Sequence, residues 1–455
     1  MNIIITIIII IFIILLSICN NITVANNDCN KLTNMINHDD DHDTDDHHTE
    51  FVGKLKYLPE FNAENSKVHN NNKWSFYLNQ IKEANTLFAE SINNYDTLAY
   101  SNQLEFNSSF SSCAAFLKLV DYDLKYFEDL FGQNFITQEL INEMIKSKFA
   151  VHYQIVDHRL YRDSACMFPS RCDGVEHFLL SLLPYLPNMD LFINVRDYPQ
   201  VGKYFTKKQQ YPIFSFSKDV NSYYDITYPA WTFWSGGPAL DIYPRGIGRW
   251  DSFRESLLKR QSQISWSNKR NIAFFRGSRT SAQRDPIILL SRSRPDLVDA
   301  KYTKNQAWKS KEDTLGEDPA QTVSFEEHCH YKYLFNAQGV AASFRFKHLF
   351  LCRSLVLNVN SNWIEFFYPP MKPWIHYVPL SENFADATEL LAFLSDNQPI
   401  AEHIAKRGFE FIRDHLTMDS VRCYWKYLLE SYSKRLVAYR PTFINYDLIE
   451  IKSTK

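Results

Sequence analysis

A chain of 455 residues that is 45 % hydrophobic and 22 % charged has room for two or three globular domains, which excludes a disordered or fibrous protein. The formal net charge is −3, and seven of the acids fall in the run DDDHDTDDHHTE at 39–50; the remainder carries 49 bases against 45 acids. So mild a balance excludes the strongly basic face of a nucleic-acid binder but leaves local basic clusters for a small phosphate-bearing ligand. An aromatic content of 15 % predicts ring-lined cores or clefts without naming a ligand.

In chain order, the apolar run 3–19 followed by Thr23-Val24-Ala25 reads as a signal peptide (1–25), with a retained anchor as the alternative; membrane association is expected only if it stays uncleaved. Either way the body is expected in the secretory lumen. The sequons at Asn21 and Asn107 agree with this, and there most of the eight cysteines should pair, Cys29 being the candidate for the odd one. Residues 26–72, rich in Asn, Asp and His, read as a disordered linker. From Lys73, Trp74, Tyr77, Leu78, Ile81 and Ala84 recur at helical spacing, and 136–149 predicts a second helix. Residues 191–195 and 213–216 read as strands and 175–186 as a helix, so an α/β layer with parallel strands is expected. The stretch 228–250, YPAWTFWSGGPALDIYPRGIGRW, reads either as a rigid loop lining a cleft or as an irregular packed connection. A second α/β run follows, with strands at 272–275, 297–302, 355–359 and 375–380, a helix at 284–293 and successive helices over 383–433. The boundary between the two runs is placed near 250–270.

Three segments carry candidate chemistry. At 271–286 a strand runs into a Gly- and hydroxyl-rich turn bearing Arg276, Arg279 and Arg284, then into a helix expected to be capped by Asp285 with Pro286 behind it; such a joint offers backbone N–H groups and forked cations to an anion. At 339–348, small residues lead into Arg345 and Lys347, two charges beside a closely approachable backbone. A solvated basic surface is the competing reading of both. The third candidate is Asp197, just beyond the 191–195 strand, where a lone carboxylate could take a proton from an attacking hydroxyl or simply pair with a neighbour such as Arg196. Walker A, Gly-x-Gly-x-x-Gly and Gly-x-Ser-x-Gly patterns are missing. Asp121-Tyr122-Asp123 and His328-Cys329-His330 are weak metal signals.

Taken together, FRGSRTS at 275–281, KNQAWKS at 304–310, GVAASFRFKHLFLC at 339–352, CMFPSRC at 166–172 and NVRDYPQV at 194–201 closely resemble the animal protein O-glucosyltransferases of the Rumi type. The resemblance implies a GT-B architecture, two Rossmann-like domains facing a cleft, here an acceptor domain at 73–260, a donor domain at 261–418 and a C-terminal helix at 419–455 packing back on the first. It implies inverting transfer of glucose from UDP-glucose, or xylose from UDP-xylose, to a serine of folded EGF-like repeats (Cys-x-Ser-x-Pro/Ala-Cys) such as those of Notch-type receptors, without a required metal. The alternative is a non-catalytic EGF-repeat-binding chaperone or lectin-like module. By the same resemblance Asp197 is the base. Tyr243, Ser278, Arg284, Ala341, Ala342, Ser343, Phe344 and Arg345 bind the UDP-sugar. Met167, Phe168, Pro169, Ser170, Arg171, Ala239, Leu240, Asp241, Ile242, Tyr243, Pro244 and Gln306 meet the acceptor. Disulfides Cys166–Cys172, Cys329–Cys352 and Cys113–Cys423 are implied as well. The family works in the endoplasmic reticulum lumen, usually behind a KDEL-like terminus, and the resemblance implies that compartment here. This sequence ends Ile451-Lys452-Ser453-Thr454-Lys455, which leaves retention open, with an uncleaved N-terminal anchor as the substitute.

Overall fold

The computed structural model describes residues 72–101, 108–238, 240, 242–243, 246–305, 307–445 and 447–452. The signal and linker segments, Cys19, Cys29, Ala239, Asp241, Pro244 and Gln306 lie outside the described residues. Both main sheets and the candidate site belong to one compact unit, Pro59–Ala89 with Phe106–Lys455; of the other unit, Met1–Leu58 with Glu90–Glu105, the described part is the end of helix α1 (Ser75–Ser101).

Helices α2 (Leu117–Phe131) and α3 (Gln138–Ser147) precede a six-stranded sheet. Its strands are β1 (Val151–Val156), β2 (Arg159–Asp163), β3 (Met189–Ile193), β4 (Phe214–Ser215), β6 (Ile226–Thr227) and the C-terminal β13 (Leu448–Ile451), in the order β13-β2-β1-β3-β4-β6. The layer is mixed, not parallel throughout: β13/β2, β2/β1 and β1/β3 run antiparallel, and only β3/β4 and β4/β6 are parallel. The departure comes from a tight β1–β2 connection whose residues Asp157 and His158 both have positive φ, which turns the chain straight back instead of through a crossover helix. The helix between β2 and β3 is α4 (Pro169–Leu182), which starts earlier than its apolar pattern alone suggests because Pro169 is pre-set for a first helical turn.

After α5 (Trp250–Ser262) comes a five-stranded, fully parallel sheet: β7 (Arg270–Gly277), β8 (Val298–Tyr302), β9 (Tyr331–Asn336), β10 (Leu355–Val359) and β12 (Val378–Leu380), in the order β12-β10-β9-β7-β8. The predicted 375–380 strand is shorter than expected, its first half being turn. Between the strands lie α6 (Asp285–Ser293), α7 (Phe325–His328) and α8 (Phe346–Phe350), and behind them α9 (Ala387–Asp396), α10 (Gln398–His415) and α11 (Met418–Arg435). Alternate residues divide the layers. Ala273, Phe275, Tyr333, Leu355 and Leu357 form one core with α9 and α10, while Phe274, Leu334 and Val356 join the larger core that includes the first sheet. Trp74, Tyr77 and Ile81 of the first helix and its preceding turn pack into the former, Tyr77 stacking on Phe393 at 4.9 Å, although chain order places them beside the first sheet.

A two-stranded ribbon joins the layers, β5 (Ser217–Asp219) pairing antiparallel with β11 (Trp363–Glu365). Helix α11 returns to the first layer: Tyr424 Oη donates to the Thr227 carbonyl at 3.1 Å, Tyr432 Oη to that of Asp190 at 3.3 Å, and Cys423 is bonded to Cys113. Cys166–Cys172 and Cys329–Cys352 are the other disulfides. Of the 228–250 rings, Tyr228, Trp231, Phe233 and Trp250 are core, so the stretch is largely a packed connection; its exposed part is the turn near Ile242.

Candidate functional site

In the parallel sheet the chain leaves β7 for β8 on one side and later places β9 on the other, so the loops after β7 and β9 diverge and open a crevice at the strand ends. Ser278 follows β7, and Ala341, Ala342 and Ser343, all buried, lie beyond β9. Arg284 bridges the two loops: it is buried, with Nε donating to the Gln338 carbonyl at 3.0 Å, Nη1 to that of Ser278 at 2.9 Å and Nη2 to that of Ala337 at 3.2 Å. Arg345 donates from Nη1 to the Arg276 carbonyl at 2.9 Å and lies 4.7 Å over the Phe275 ring. Gly277 makes room for it, since a Cβ there would overlap the Arg345 guanidinium.

Charge pairing separates the candidate cations. Arg276 is bound to Asp299 at 2.7 Å, and Arg279 forks onto Asp285 at 2.8 and 2.6 Å. Asp285 is therefore not the helix cap expected from sequence. It is the first residue of α6, taking Arg279 and the Tyr302 hydroxyl, while Ser281 caps the preceding turn. Lys347 also turns away: it is buried over the Phe233 ring at 4.7 Å, donating to Thr232 Oγ1 at 3.4 Å, near the buried Glu365. Burial pushes its ammonium down and the Glu365 carboxyl up, with their mutual attraction opposing both shifts. Arg284 and Arg345 are the pair that no carboxylate among the described residues neutralises. Burial lowers Arg284 to about 10; burial and then the Arg284 charge lower Arg345 to about 9, so both stay cationic at neutral pH. Two adjacent desolvated cations are costly without an anion, and forked guanidiniums suit phosphate oxygens. On the same loop, a cavity of about 360 Å³ is lined by Arg279, Thr280, Ser281, Thr303, Asn305, Trp308 and Asp313 among others; Arg284 and Arg345 do not line it. Of these, Asn305 and Trp308 stood in the sequence only as members of the string around Gln306.

On the first layer, Asp197 lies four residues past β3, half exposed. Its loop is pinned from both ends: Asn194 Nδ2 donates to the Tyr198 carbonyl at 2.7 Å, and the Gln200 and Val201 N–H groups donate to the buried Asp225 at 2.7 Å each. Its partner is Arg171, at 3.2 Å, and not Arg196. Arg171 lies in the first turn of α4, just after Met167, which is 62 % exposed, and the N-cap Phe168. Gly236 packs directly on Ser170 and Arg171, and the turn bridged by Leu240 and Tyr243, with the exposed Ile242, follows a few residues later. Tyr243 is half-buried, its hydroxyl accepting from the Phe325 N–H at 3.2 Å and pushed by burial to about 12.

The two groups are connected by packing. Arg171 lies 4.6 Å from the Trp231 ring, Trp231 meets Phe344 edge-on at 6.0 Å, and Phe344 sits between Ser343 and Arg345. Phe216 of the first layer also stacks on Phe344 at 5.0 Å. The Asp197 loop and the Ser343–Arg345 segment are thus linked through Arg171, Trp231 and Phe344, while the Arg284 and Arg345 guanidiniums themselves lie over Phe275. A carboxylate on one layer and two cations unpaired among the described residues on the other suit activating a nucleophile while holding an anionic leaving group. Asp121 and Asp123 are occupied structurally, by Arg435 and Tyr427 and by Lys218 respectively, and no cluster of potential metal ligands occurs among the described residues. No described helix is long and apolar enough to cross a membrane.

A model of glycosyl transferase family 90 matches residues 108–454. The chain is 49 % identical over 394 residues to protein O-glucosyltransferase 1 of Homo sapiens, covering 86 % of this chain and 94 % of that protein. It is 55 % identical over 303 residues to O-glucosyltransferase rumi of Drosophila melanogaster, covering 66 % and 73 %.

Proposed function

Because the chain belongs to glycosyl transferase family 90 and is an O-glucosyltransferase acting on protein, we propose that it transfers glucose, or xylose, from a UDP-sugar to a serine of EGF-like repeats with inversion, Asp197 acting as general base. On this reading the two sheet-centred layers are the halves of a GT-B arrangement. The observation that carries it is the Arg284–Arg345 pair at the end of the parallel sheet, Arg284 buried and Arg345 partly exposed, with no carboxylate paired to either among the described residues, which a diphosphate would neutralise. As the serine oxygen attacks the anomeric carbon, Asp197 takes its proton. The bond to the diphosphate breaks, and the two guanidiniums hold the charge that leaves. Met167, Ile242 and the neighbouring turns would receive the acceptor. The KNQAWKS segment beside the cavity would add the Gln306 contact. Three disulfides favour an oxidising lumen as the working compartment, with Notch-type receptors among the acceptors.

The test is mass spectrometry of a folded EGF-like repeat incubated with the enzyme and each UDP-sugar, alongside the D197N variant. A hexose or pentose on serine, lost by at least 1,000-fold in D197N while UDP binding persists, is expected on the order of a missing catalytic base. Near-normal turnover of D197N removes Asp197 from that role.

A further inference from the structure

By the family resemblance Arg171 is an acceptor contact, yet both polar contacts its guanidinium makes among the described residues go to the Asp197 loop. One nitrogen, Nη2, lies 3.2 Å from Asp197 Oδ1, while the other, Nη1, donates to the Val195 carbonyl at 2.7 Å, two residues upstream on the same loop. The guanidinium is held between two rings, 4.2 Å from that of Phe168 and 4.6 Å from that of Trp231. Its own backbone is restrained on both sides, by the Cys166–Cys172 disulfide next to it and by Gly236 packed on Ser170. A half-exposed aspartate on a loop would otherwise sample several rotamers. A planar fork anchored at two points on that loop narrows that sampling.

We propose that Arg171 is the positioning residue for the base: by holding Asp197 through Oδ1 it leaves Oδ2 to accept the acceptor proton in a fixed place. This inference rests on the reading of Asp197 as the base. In the step it serves, the serine O–H bond breaks with its proton passing to Oδ2. The serine oxygen bonds to the anomeric carbon, and the sugar–diphosphate bond breaks with its electron pair going to the diphosphate. Because Trp231, which flanks Arg171, also touches Phe344 beside Arg345, the same side chain ties the place of the base to the place of the leaving group.

The experiment compares R171K, R171Q and R171A with wild type and D197N in the purified full chain, measuring kcat and acceptor KM separately with a folded EGF-like repeat. A group misplaced by about 1 Å costs on the order of 100-fold in rate, so R171Q should lose about 100-fold in kcat with acceptor KM within about threefold. R171K, which keeps the charge without the fork, should recover only part of that loss. Guanidinium chloride added at millimolar concentration should restore some kcat to R171A, since the Phe168–Trp231 slot remains, and should not change R171Q. Melting temperature and UDP binding separate misfolding from misplacement, and R171K serves as the readout if R171A does not fold. A rise in acceptor KM at unchanged kcat would assign Arg171 to the acceptor alone and overturn the proposal. Turnover by D197N would overturn the base assignment first and this inference with it. An inactive D197N beside a fully active R171Q would overturn this inference only.

Discussion

Gly277 offers a way to displace one arginine without deleting it. It ends β7 with ordinary, non-positive φ, so its backbone accommodates alanine, and Gly→Ala at a compatible position favours folding by about 0.4–1 kcal/mol. The added Cβ would stand 3.1 Å from Arg345 Cζ and closer still to its Nη2, whereas relaxed contacts between such atoms lie near 3.5–4.0 Å. The backbone is fixed by pairing with β8 and β9, and the guanidinium is the far end of a flexible chain, so the guanidinium moves. It gives up its 2.9 Å bond to the Arg276 carbonyl and its seat over Phe275. If Arg345 donates to the diphosphate, about 1.5–3 kcal/mol of charge-assisted hydrogen bonding is lost, which is about 10- to 150-fold in affinity. Calorimetric titration of UDP into G277A, R345M and the double variant measures it. The expected pattern is a weakened G277A with unchanged melting temperature and no further loss when G277A is added to R345M. Wild-type UDP affinity in G277A, or fully additive losses in the double variant, would refute the reasoning.

The charge pairing separates neighbours three to eight residues apart in sequence: R284M should weaken UDP binding by at least 10-fold, whereas R276M, whose charge is already spent on Asp299, should stay within about threefold in the same titration. Acid should destabilise the fold through its buried imidazoles. Burial, then a nearby arginine, holds His328 and His376 at a pKa of about 3 against the ordinary 6.5. With the folded-state pKa depressed, the unfolded chain takes up protons first, and stability falls as pH drops from about 6.5 towards 3, by about 2 kcal/mol per histidine at pH 5. Denaturant melts at pH 7 and pH 5 should therefore show H376Q losing about 2 kcal/mol less than wild type, and an equal loss in both would exclude His376 as a source.

How much of this was legible in the sequence follows from how local each signal is. The parallel sheet was readable because strands covered on both faces appear as short apolar runs: 355–359 coincides with β10, and 297–302 contains β8. The strand–turn–helix joint after β7 was readable because Gly, hydroxyl and arginine residues fall together between an apolar run and Pro286. The β1–β2 hairpin and the late edge strand β13 were not. The first hides in the polar alternation of Val151–Val156 and Arg159–Asp163, and the second pairs across nearly three hundred residues. The rings at 228–250 were ambiguous because burial, not composition, decides whether Trp231 is a wall or a core.

Chain order alone sets which residue types are available at each joint, including a carboxylate past one strand and four arginines near two others. Which of them are in use is settled by the folded arrangement. Asp299 and Asp285 neutralise Arg276 and Arg279, Arg171 and not Arg196 holds Asp197, and Arg284 and Arg345 are left charged together. The reason is physical: a charge is spent or available according to what lies within a few ångströms of it, and those neighbours come from other strands and loops that chain order does not bring together.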